Sequence, residues 1–337
     1  MIIIPDVNGK INKWREFKLQ NIKVLKHFRV AALAYPALRG RYERMSNCGR
    51  TVQYNVDNEG KYHYVGAWLC RDRLCPICAW RLSVKRTGEM IKVLDRLYTE
   101  YPNTHAIHVV LTVRNCAETE LKSTIRQITQ GFTRLKKRVL WNDYIMGYAR
   151  SVEITYNKDE QTYHPHIHVV AIVPNRYTRQ ISIGDWVDMW RDCARVDYNP
   201  IVWANNAYNN NTELDFKFEY DTRKTDTEAA KQAIIEACKY AVKPSDIHDI
   251  ATAGDIATVA QALAGARMVS YGGIIKRIRR ELAMVDEDKP QEQIPPLTID
   301  PQQGNNAYAV MYEWCSRTRN YIAVTQSANQ NVIERVF

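Results

Sequence analysis

The chain has 337 residues, of which 45% are hydrophobic, so it is long enough to bury the core of one large globular domain or of two smaller ones. Its formal net charge of +10 favours a polyanionic partner, with nucleic acid first, over a pocket that serves only a small acidic molecule. The alternative is a basic enzyme that does not bind nucleic acid. No apolar run approaches the roughly 20 residues that span a bilayer, and the "MIII" start is too short for a signal sequence, so we expect a cytoplasmic protein without a membrane partner.

The first motif along the chain is a group of cysteines. In a cytoplasmic protein, clustered cysteines are more often metal ligands than disulfides. The segment "CRDRLCPIC" holds Cys70, Cys75 and Cys78, and the last two have the short spacing that lets two thiolates reach one zinc ion. Cys48 would complete a four-cysteine structural zinc site across the hairpin "TVQYNVDNEGKYHYVGAWL". Two alternatives stay open: His63 replaces one cysteine, or the cysteines are buried thiols without a metal.

Two groups of basic residues are candidate contacts for DNA phosphates, and such contacts would make binding steeply dependent on salt. For each of these residues, an ordinary solvated helix face is an equally good interpretation. The first group surrounds the cysteine element and comprises Arg71, Arg73, Arg81, Lys85 and Arg86. The second group lies in "YGGIIKRIRRELAMV" and comprises Lys276, Arg277, Arg279 and Arg280.

The central region alternates between strand and helix patterns. Asn115 and Glu118 have the spacing of a capping box at the start of an amphipathic helix. The order of roughly βαββαβα predicts an α+β fold, an antiparallel sheet with flanking helices. The predicted elements are the strand "HAIHVVLTV", the helix with apolar positions Leu121, Ile125, Ile128, Phe132, Leu135 and Val139, the strands "GYARSVEITYN" and "TYHPHIHVVAIV" joined by "KDEQ", a helix over 184–195, a strand near "ELDFKFEYD" and a helix over 228–242.

The second of the hairpin strands carries three of the eight histidines of the chain. Residues two apart on a strand share a face, so His166 and His168 point the same way and can bind one metal ion through their imidazoles. His164 lies on the same face, as a candidate phosphate contact or a residue that supports the two ligands. A lone histidine in a strand usually packs or forms a hydrogen bond, but the His-x-His pair favours a metal site.

A carboxylate on the first hairpin strand is the candidate third ligand. If the turn is centred between Asp159 and Glu160, Glu153 faces His166 on the same side of the sheet. Two imidazoles and one carboxylate leave coordination positions for water or phosphate oxygens, which suits Mg²⁺ or Mn²⁺ in phosphate-ester chemistry. A register slip of one residue would turn Glu153 to the other face and remove it from the site.

The segment "IIEACKYAVK" predicts a helix with a polar stripe of Glu236, Tyr240 and Lys243. For the helix in isolation, a solvated face is the simpler explanation of this stripe. Beside a metal ion, however, a tyrosine hydroxyl can attack phosphorus and retain the chain end as a phosphotyrosine. Lys243 is then available to stabilise the phenolate or the phosphate, and Glu236 to take a proton from the tyrosine or from a water.

Taken together, "VVLTVRN", "EITYN", "HPHIHVV" and "EACKYAVK" occur in an order that resembles the plasmid rolling-circle replication initiators (Rep) of the HUH endonuclease superfamily. The resemblance covers about residues 109–243, and many members of that family have a similar "CPIC" element upstream. It implies a ferredoxin- or RRM-like antiparallel sheet of about five strands with the histidines on a central strand. The chain resembles the single-tyrosine type, because no second tyrosine occurs in the motif.

The resemblance also implies roles for individual residues. Tyr240 would be the nucleophile and His166 and His168 the metal ligands, with Glu153 in the usual place of the third ligand. Glu236, four residues before the tyrosine, would activate the water that ends the reaction cycle. The implied activity is a metal-dependent nick in one strand of a replication origin, with a 5′-phosphotyrosyl intermediate and a free 3′-OH as primer.

These expectations give a provisional domain plan and a set of partners. The partners would be origin DNA, in double- and single-stranded form, and the host helicase and polymerase. A related HUH relaxase or single-strand transposase, and a non-catalytic zinc-containing DNA-binding regulator, are the alternatives. The plan comprises an N-terminal region over 1–100 with the zinc element at about 45–85, a catalytic domain over 101–250, a basic helical extension over 251–285, a polar, Pro-rich linker or surface loop over 286–306, and a C-terminal tail over 307–337 with strand-like alternation.

Overall fold

The computed structural model describes residues 10–57, 59, 62–175, 181–205, 253–284 and 306–325. The chain divides into two compact units. One comprises Met1–Trp80 together with Pro290–Phe337, and the other comprises Arg81–Lys289. No helix in the described ranges is long and apolar enough to cross a membrane.

The described elements are numbered here in chain order. The helices are α1 (Lys10–Ala34), α2 (Arg39–Asn47), α3 (Pro76–Glu100), α4 (Leu121–Leu135), α5 (Val139–Tyr144), α6 (Ile183–Ala194), α7 (Ala253–Ala262) and α8 (Gly273–Glu281). The strands are β1 (Thr51–Asp57), β2 (Tyr62–Ala67), β3 (Thr104–Leu111), β4 (Gly147–Asn157), β5 (Thr162–Pro174), β6 (Val202–Asn205), β7 (Val269–Gly272), β8 (Asn306–Cys315) and β9 (Asn320–Thr325). Short 3₁₀ turns cover Pro36–Leu38 and Glu118–Glu120.

The first unit is built on a four-stranded antiparallel sheet in the order β2-β1-β8-β9. The hairpin predicted between Cys48 and Cys70 is confirmed as β1 and β2. The strands predicted in the C-terminal tail are also confirmed, and β8 pairs along the whole length of β1. The core of this unit is aromatic: Trp14 of α1 packs edge-on against Trp80 and donates a hydrogen bond of 2.9 Å to the Tyr54 hydroxyl.

The second unit contains a five-stranded antiparallel sheet in the order β6-β3-β5-β4-β7. The predicted α+β class, the number of strands and the central position of the histidine strand are confirmed, because β5 lies in the middle. Both faces of β5 are covered, which explains its long apolar run. Val170 and Ile172 pack on the side of α3 and α8, in a core with Met90 and Ile275.

Helix α4 agrees with its predicted apolar stripe as far as Leu135, but its two ends differ from the prediction. The helix ends at Leu135, and Val139 begins the separate short helix α5 with 73% of its surface exposed. The predicted capping box of Asn115 and Glu118 is wrong. A 3₁₀ turn precedes α4, and the Asn115 side chain instead forms hydrogen bonds with residues of the β4–β5 hairpin.

Other predicted elements have mixed outcomes. The helix predicted over 184–195 is confirmed as α6, which begins at Ile183 after a cap in which the Ser182 hydroxyl accepts a hydrogen bond from the Asp185 amide. The two edge strands β6 and β7 were not predicted. The predicted strand near "ELDFKFEYD" and the helix over 228–242 lie outside the described residues.

A tight junction between β7 and α8 depends on glycine, and it gives a testable prediction. Gly273 has φ of +56°, and a Cβ there would lie 2.2 Å from the Met146 carbonyl oxygen. An alanine at this position would be strained by the left-handed backbone conformation and would clash with the Met146 carbonyl. We therefore expect Gly273→Ala to lower the free energy of unfolding by about 2–5 kcal/mol, and urea denaturation measures this change. Gly88→Ala is the control. Gly88 lies on helix α3, and a Cβ added there would have no neighbouring atom within 4 Å. We expect this control to stabilise the protein by about 1 kcal/mol. Equal stability of the two variants would contradict the steric argument.

Candidate active site and cysteine cluster

The histidine face of the second unit is set by the register of the β4–β5 hairpin. Glu153 pairs with His166 and Asn157 with Thr162, so the turn is centred between Asp159 and Glu160 as predicted. The alternative register, which would have turned Glu153 away, is therefore excluded. The alternation of side chains along the strands places Glu153, His166 and His168 on one face of the sheet.

The side chains of Glu153, His166 and His168 converge on one point. Glu153 Oε2 lies 2.9 Å from His168 Nε2 and 3.6 Å from His166 Nε2, and the two Nε2 atoms are 3.1 Å apart. Octahedral coordination with bonds of about 2.1 Å places neighbouring donor atoms about 3 Å apart. The three distances lie close to this value, so the donor set fits one divalent cation with coordination positions left for other ligands.

The hydrogen bonds around His166 fix which ring nitrogen carries the proton. His166 Nδ1 lies 3.0 Å from the His164 carbonyl oxygen. A carbonyl oxygen only accepts hydrogen bonds, so Nδ1 donates and Nε2 keeps its lone pair for a metal ion.

The charge of Glu153 is stabilised where it is buried. Burial alone would raise the pKa of the carboxyl, but its contacts with the His166 and His168 imidazoles hold this pKa well below its usual range. Glu153 is 4% exposed, and His166 and His168 are 8% and 3% exposed. All three donors are therefore shielded from water, which strengthens their electrostatic interaction with a bound cation.

His164 lies beside the three donors and does not belong to the group that converges on the cation position. Its ring is 5.2 Å from the His166 ring, and its Nδ1 lies 2.9 Å from Asn115 Oδ1. Burial and the neighbouring His166 lower the pKa of His164 to about 4. His164 is therefore neutral at physiological pH, and its position agrees better with a supporting role than with a charged phosphate contact.

Two residues of this site were missed in the sequence. Asn115 was interpreted as a helix cap, whereas its side-chain nitrogen donates to Glu160 and Thr162 and its oxygen faces His164. His108 on β3 lies with its Nε2 3.1 Å from Nδ1 of His168. The alternation along β3 identifies the face on which His108 lies, but only the pairing of β3 with β5 brings it to His168.

The tyrosine helix was the other half of the predicted site. Glu236, Tyr240 and Lys243 lie outside the described residues, so their roles stay predictions.

In the first unit, the four predicted cysteines come together and His63 is not among them. Cys48 directly follows α2, Cys70 follows β2, Cys75 directly precedes α3, and Cys78 lies in the first turn of α3. Their Sγ atoms all lie within 4.8 Å of one another. The Cys48–Cys78 and Cys70–Cys78 distances between Sγ atoms are 3.5 and 3.6 Å. Tetrahedral zinc with Zn–S bonds of 2.3 Å requires about 3.8 Å, so the cluster fits a structural zinc ion.

Backbone amides support the sulfur atoms of this cluster. The Cys70 N–H donates to Cys48 Sγ over 3.4 Å, and the Arg71 N–H donates to Cys78 Sγ over 3.2 Å. Arg71 has φ of +58°, which costs energy for a side chain other than glycine and turns the loop back toward the sulfur atoms. Such donors stabilise thiolates, the form that binds zinc.

A buried lysine adds positive charge beside the cysteines. Lys18 of α1 is 3% exposed and donates a hydrogen bond to the Cys48 carbonyl oxygen. Burial lowers the pKa of its ammonium, and the nearby Cys48, Cys75 and Cys70 oppose this shift. Four thiolates around Zn²⁺ carry two net negative charges, so an ammonium group here complements a zinc site.

An ion pair fixes the loop between Cys70 and Cys75. Arg41 of α2 makes two hydrogen bonds to the Asp72 carboxylate, of 2.7 and 2.8 Å. Asp72 also accepts from the Leu74 amide over 3.0 Å. A bidentate pair of this kind holds the loop in one geometry, which positions the cysteines before a metal ion binds.

The predicted basic residues differ in their accessibility. Arg86 is buried, and Arg279 is 4% exposed with an ion pair of 2.9 Å to Glu89. Arg277 forms ion pairs with Glu100 and Glu281, and Lys85 forms a longer one with Glu89. Arg73 and Arg81 are partly exposed. The exposed members of the two groups are Arg71, Lys85, Lys276, Arg277 and Arg280.

Comparisons with known proteins agree in the kind of protein they find. A family model described as "Replication protein" matches residues 61–322. A "Protein rep" of Streptococcus pneumoniae serotype 2 is 29% identical over 336 residues, which are 97% of this chain and 97% of that protein.

Two further relatives show similar agreement. A "Protein rep" of Lentilactobacillus hilgardii is 31% identical over 85% of this chain and 88% of that protein. A "Protein rep" of Bacillus amyloliquefaciens is 31% identical over 93% of this chain and 94% of that protein. No solved structure gives a significant match.

Proposed function

Because the chain belongs to the Rep family of replication proteins, we propose that it initiates rolling-circle replication by nicking one DNA strand at an origin. The predicted resemblance to Rep initiators is confirmed at the level of the family. The HUH subtype, the nick and the phosphotyrosine intermediate form the proposal.

The observation that carries this proposal is the convergence of Glu153, His166 and His168 on the central strands of the sheet. A buried carboxylate beside two imidazoles is not needed for stability, because apolar side chains of similar volume often stabilise a core as well or better. The spacing of the donor atoms matches one divalent cation. This arrangement supports phosphate-ester chemistry at the histidine face of the sheet.

The cation proposed for this site is Mg²⁺ or Mn²⁺. When bound, it would polarise a phosphate oxygen and lower the energy of the charge that develops during attack. His166 and His168 would hold the cation through Nε2, and Glu153 through its carboxylate. Their burial and hydrogen bonds fix the three donors before substrate arrives, so little reorganisation is required during the reaction.

The nucleophile in this proposal is Tyr240. Its Oη forms a bond to phosphorus while the bond from phosphorus to the 3′ oxygen breaks, and the departing oxygen takes up a proton to become the 3′-OH primer. The phenol proton passes to water or to Glu236. In termination, Glu236 would activate a water for hydrolysis, and Lys243 would stabilise negative charge on the phenolate or phosphate.

DNA is the proposed partner of both units. In the first unit, the exposed Arg71 lies at the cysteine cluster, where zinc would keep the loop ordered. In the second unit, Lys276 and Arg280 are exposed on α8. We propose that these residues contact phosphates of the origin DNA, and that the host helicase and polymerase act on the opened origin.

Removal of a ligand tests the metal-dependent nick. We expect Glu153→Gln to lower the nicking rate by at least about 100-fold, because the cation contributes several kcal/mol and each 1.36 kcal/mol is tenfold in rate. The measurement is cleavage of a labelled single strand that carries the candidate origin of its own replicon, with Mn²⁺ and with chelator. Part of the lost rate should return at higher Mn²⁺ concentration.

Asp159→Asn is the matched control, since this exposed carboxylate lies in the turn of the same hairpin and outside the donor group. We expect it to cleave like the wild type. Cleavage that persists in chelator would contradict a metal-dependent mechanism. Tight origin binding without any cleavage, whatever the metal, would favour the DNA-binding regulator instead.

A further inference from the structure

The histidine face contains a third buried imidazole that the proposed reaction does not use. His108 on β3 is 7% exposed, and its ring plane lies at 15° to that of His168 with the ring centroids 5.3 Å apart. Its Nε2 lies 3.1 Å from His168 Nδ1, the nitrogen on the far side of the ring from Glu153. Trp203 on β6 packs edge-on against His108 and limits its rotation.

The two proposed histidine ligands are supported in different ways. His166 donates from Nδ1 to a carbonyl oxygen, which leaves Nε2 as a donor of electrons to a cation. The Nδ1 atom of His168 instead faces Nε2 of the His108 imidazole, and an imidazole nitrogen can either donate or accept a hydrogen bond. His108 can therefore serve either tautomer of His168, and it accepts from Nδ1–H when a cation lies at Nε2.

We propose that His108 is a positioning residue for the divalent cation: its Nε2 accepts a hydrogen bond from Nδ1–H of His168 and so presents His168 Nε2 to the metal. This inference rests on the proposed metal centre at Glu153, His166 and His168. When His168 Nε2 instead carries a proton for Glu153, the hydrogen bond to His108 reverses. Each ring then changes tautomer and keeps one proton, so the pair adapts without a change in charge.

The energetic effect follows from what the hydrogen bond does to the ligand. An acceptor behind a ligating imidazole fixes the ring orientation and increases the basicity of the ligating nitrogen, and loss of such a partner costs about 10- to 100-fold in metal affinity. His108 never touches the cation in this arrangement. Its substitution should therefore change affinity without changing the number of ions bound.

The test measures the binding of Mn²⁺ alone to the full-length protein, with isothermal titration calorimetry and electron paramagnetic resonance as the two methods. We expect His108→Phe, which keeps a ring but has no acceptor, to bind Mn²⁺ about 10- to 100-fold more weakly than the wild type. His108→Gln should recover most of the affinity, because its side-chain oxygen accepts the same hydrogen bond. His105→Phe is the control: His105 lies on the same strand, with its Nδ1 3.3 Å from Asn175 Oδ1, and its substitution should leave the affinity unchanged.

Wild-type affinity in a folded His108→Phe variant would overturn the inference, and so would a His108→Gln variant as weak as His108→Phe. A wild-type protein that binds no Mn²⁺ would remove the metal centre itself, which distinguishes failure of the proposed function from failure of the role of His108.

A second measurement does not require any variant to fold. The tautomer of His168 in the wild type is read from ¹⁵N chemical shifts of its ring in the presence of Mg²⁺. We expect Nδ1 to carry the proton; a proton on Nε2 would overturn the inference.

Discussion

Replacement of Tyr240 by phenylalanine is expected to abolish the covalent protein–DNA adduct and to leave origin binding largely unchanged. The substitution removes the hydroxyl that forms the bond to phosphorus and keeps the aromatic ring. Removal of a nucleophile from an enzyme of this kind lowers its rate by about 10⁴-fold or more. The measurement is a denaturing gel of the protein with a single-stranded origin oligonucleotide labelled downstream of the nick, in Mn²⁺ and in chelator.

Tyr220→Phe is the control for this experiment, because Tyr220 lies upstream of the motif "EACKYAVK". It should form the adduct at the wild-type level. Two outcomes would contradict the proposal. An adduct of full yield in Tyr240→Phe would mean that another residue attacks phosphorus, and a nick of full rate without any adduct would mean that water does.

Replacement of Cys78 by serine is expected to remove zinc and to unfold the first unit. Cys78 is central to the cluster, with its Sγ 3.5 and 3.6 Å from those of Cys48 and Cys70. Structural zinc sites of this type contribute roughly 10–16 kcal/mol of apparent binding free energy, which is comparable with or greater than the whole stability of a typical domain, about 5–15 kcal/mol. Zinc content by mass spectrometry and unfolding by calorimetry are the measurements.

Cys315→Ser is the matched control, since Cys315 lies in the same unit at the end of β8 and outside the cluster. It should retain zinc and unfold like the wild type. Because the second unit has its own core around α3, α8 and the sheet, its unfolding transition should persist in Cys78→Ser. Wild-type zinc content in Cys78→Ser, or a wild-type protein that is stable and zinc-free, would contradict the prediction.

The short-range features of both sites were predictable from the sequence because local geometry fixes them. Period-two alternation places His166 and His168 on one face of a strand, and the length of the hairpin turn brings Glu153 opposite His166. In the same way, the hairpin between Cys48 and Cys70 brings these two cysteines close together. The short spacing of Cys75 and Cys78 then lets all four thiol groups reach one metal ion.

Asn115 shows where local interpretation failed. Its spacing to Glu118 suits a helix cap, but the chain here forms an isolated bridge in which Cys116 pairs with Tyr163. That bridge brings the Asn115 amide to His164, Glu160 and Thr162, and several hydrogen bonds replace the single one that a cap provides. The role of the Asn115 side chain is therefore set by its tertiary contacts with the β4–β5 hairpin, although its local sequence pattern indicates a helix cap.

The sequence by itself determined the family, the three inner strands β3, β4 and β5 of the second sheet, the paired histidines with their carboxylate, and the cysteine cluster. Only the tertiary structure decided that β8 lies beside β1, where Arg50 and Glu313 meet across 263 positions of the chain, and that His108 lies behind His168. The physical reason is that strands pair through backbone hydrogen bonds, which every residue except proline offers. Alternation of side chains shows which face of a strand is buried, but the partner strand is selected by which edges remain unpaired after the whole core has packed.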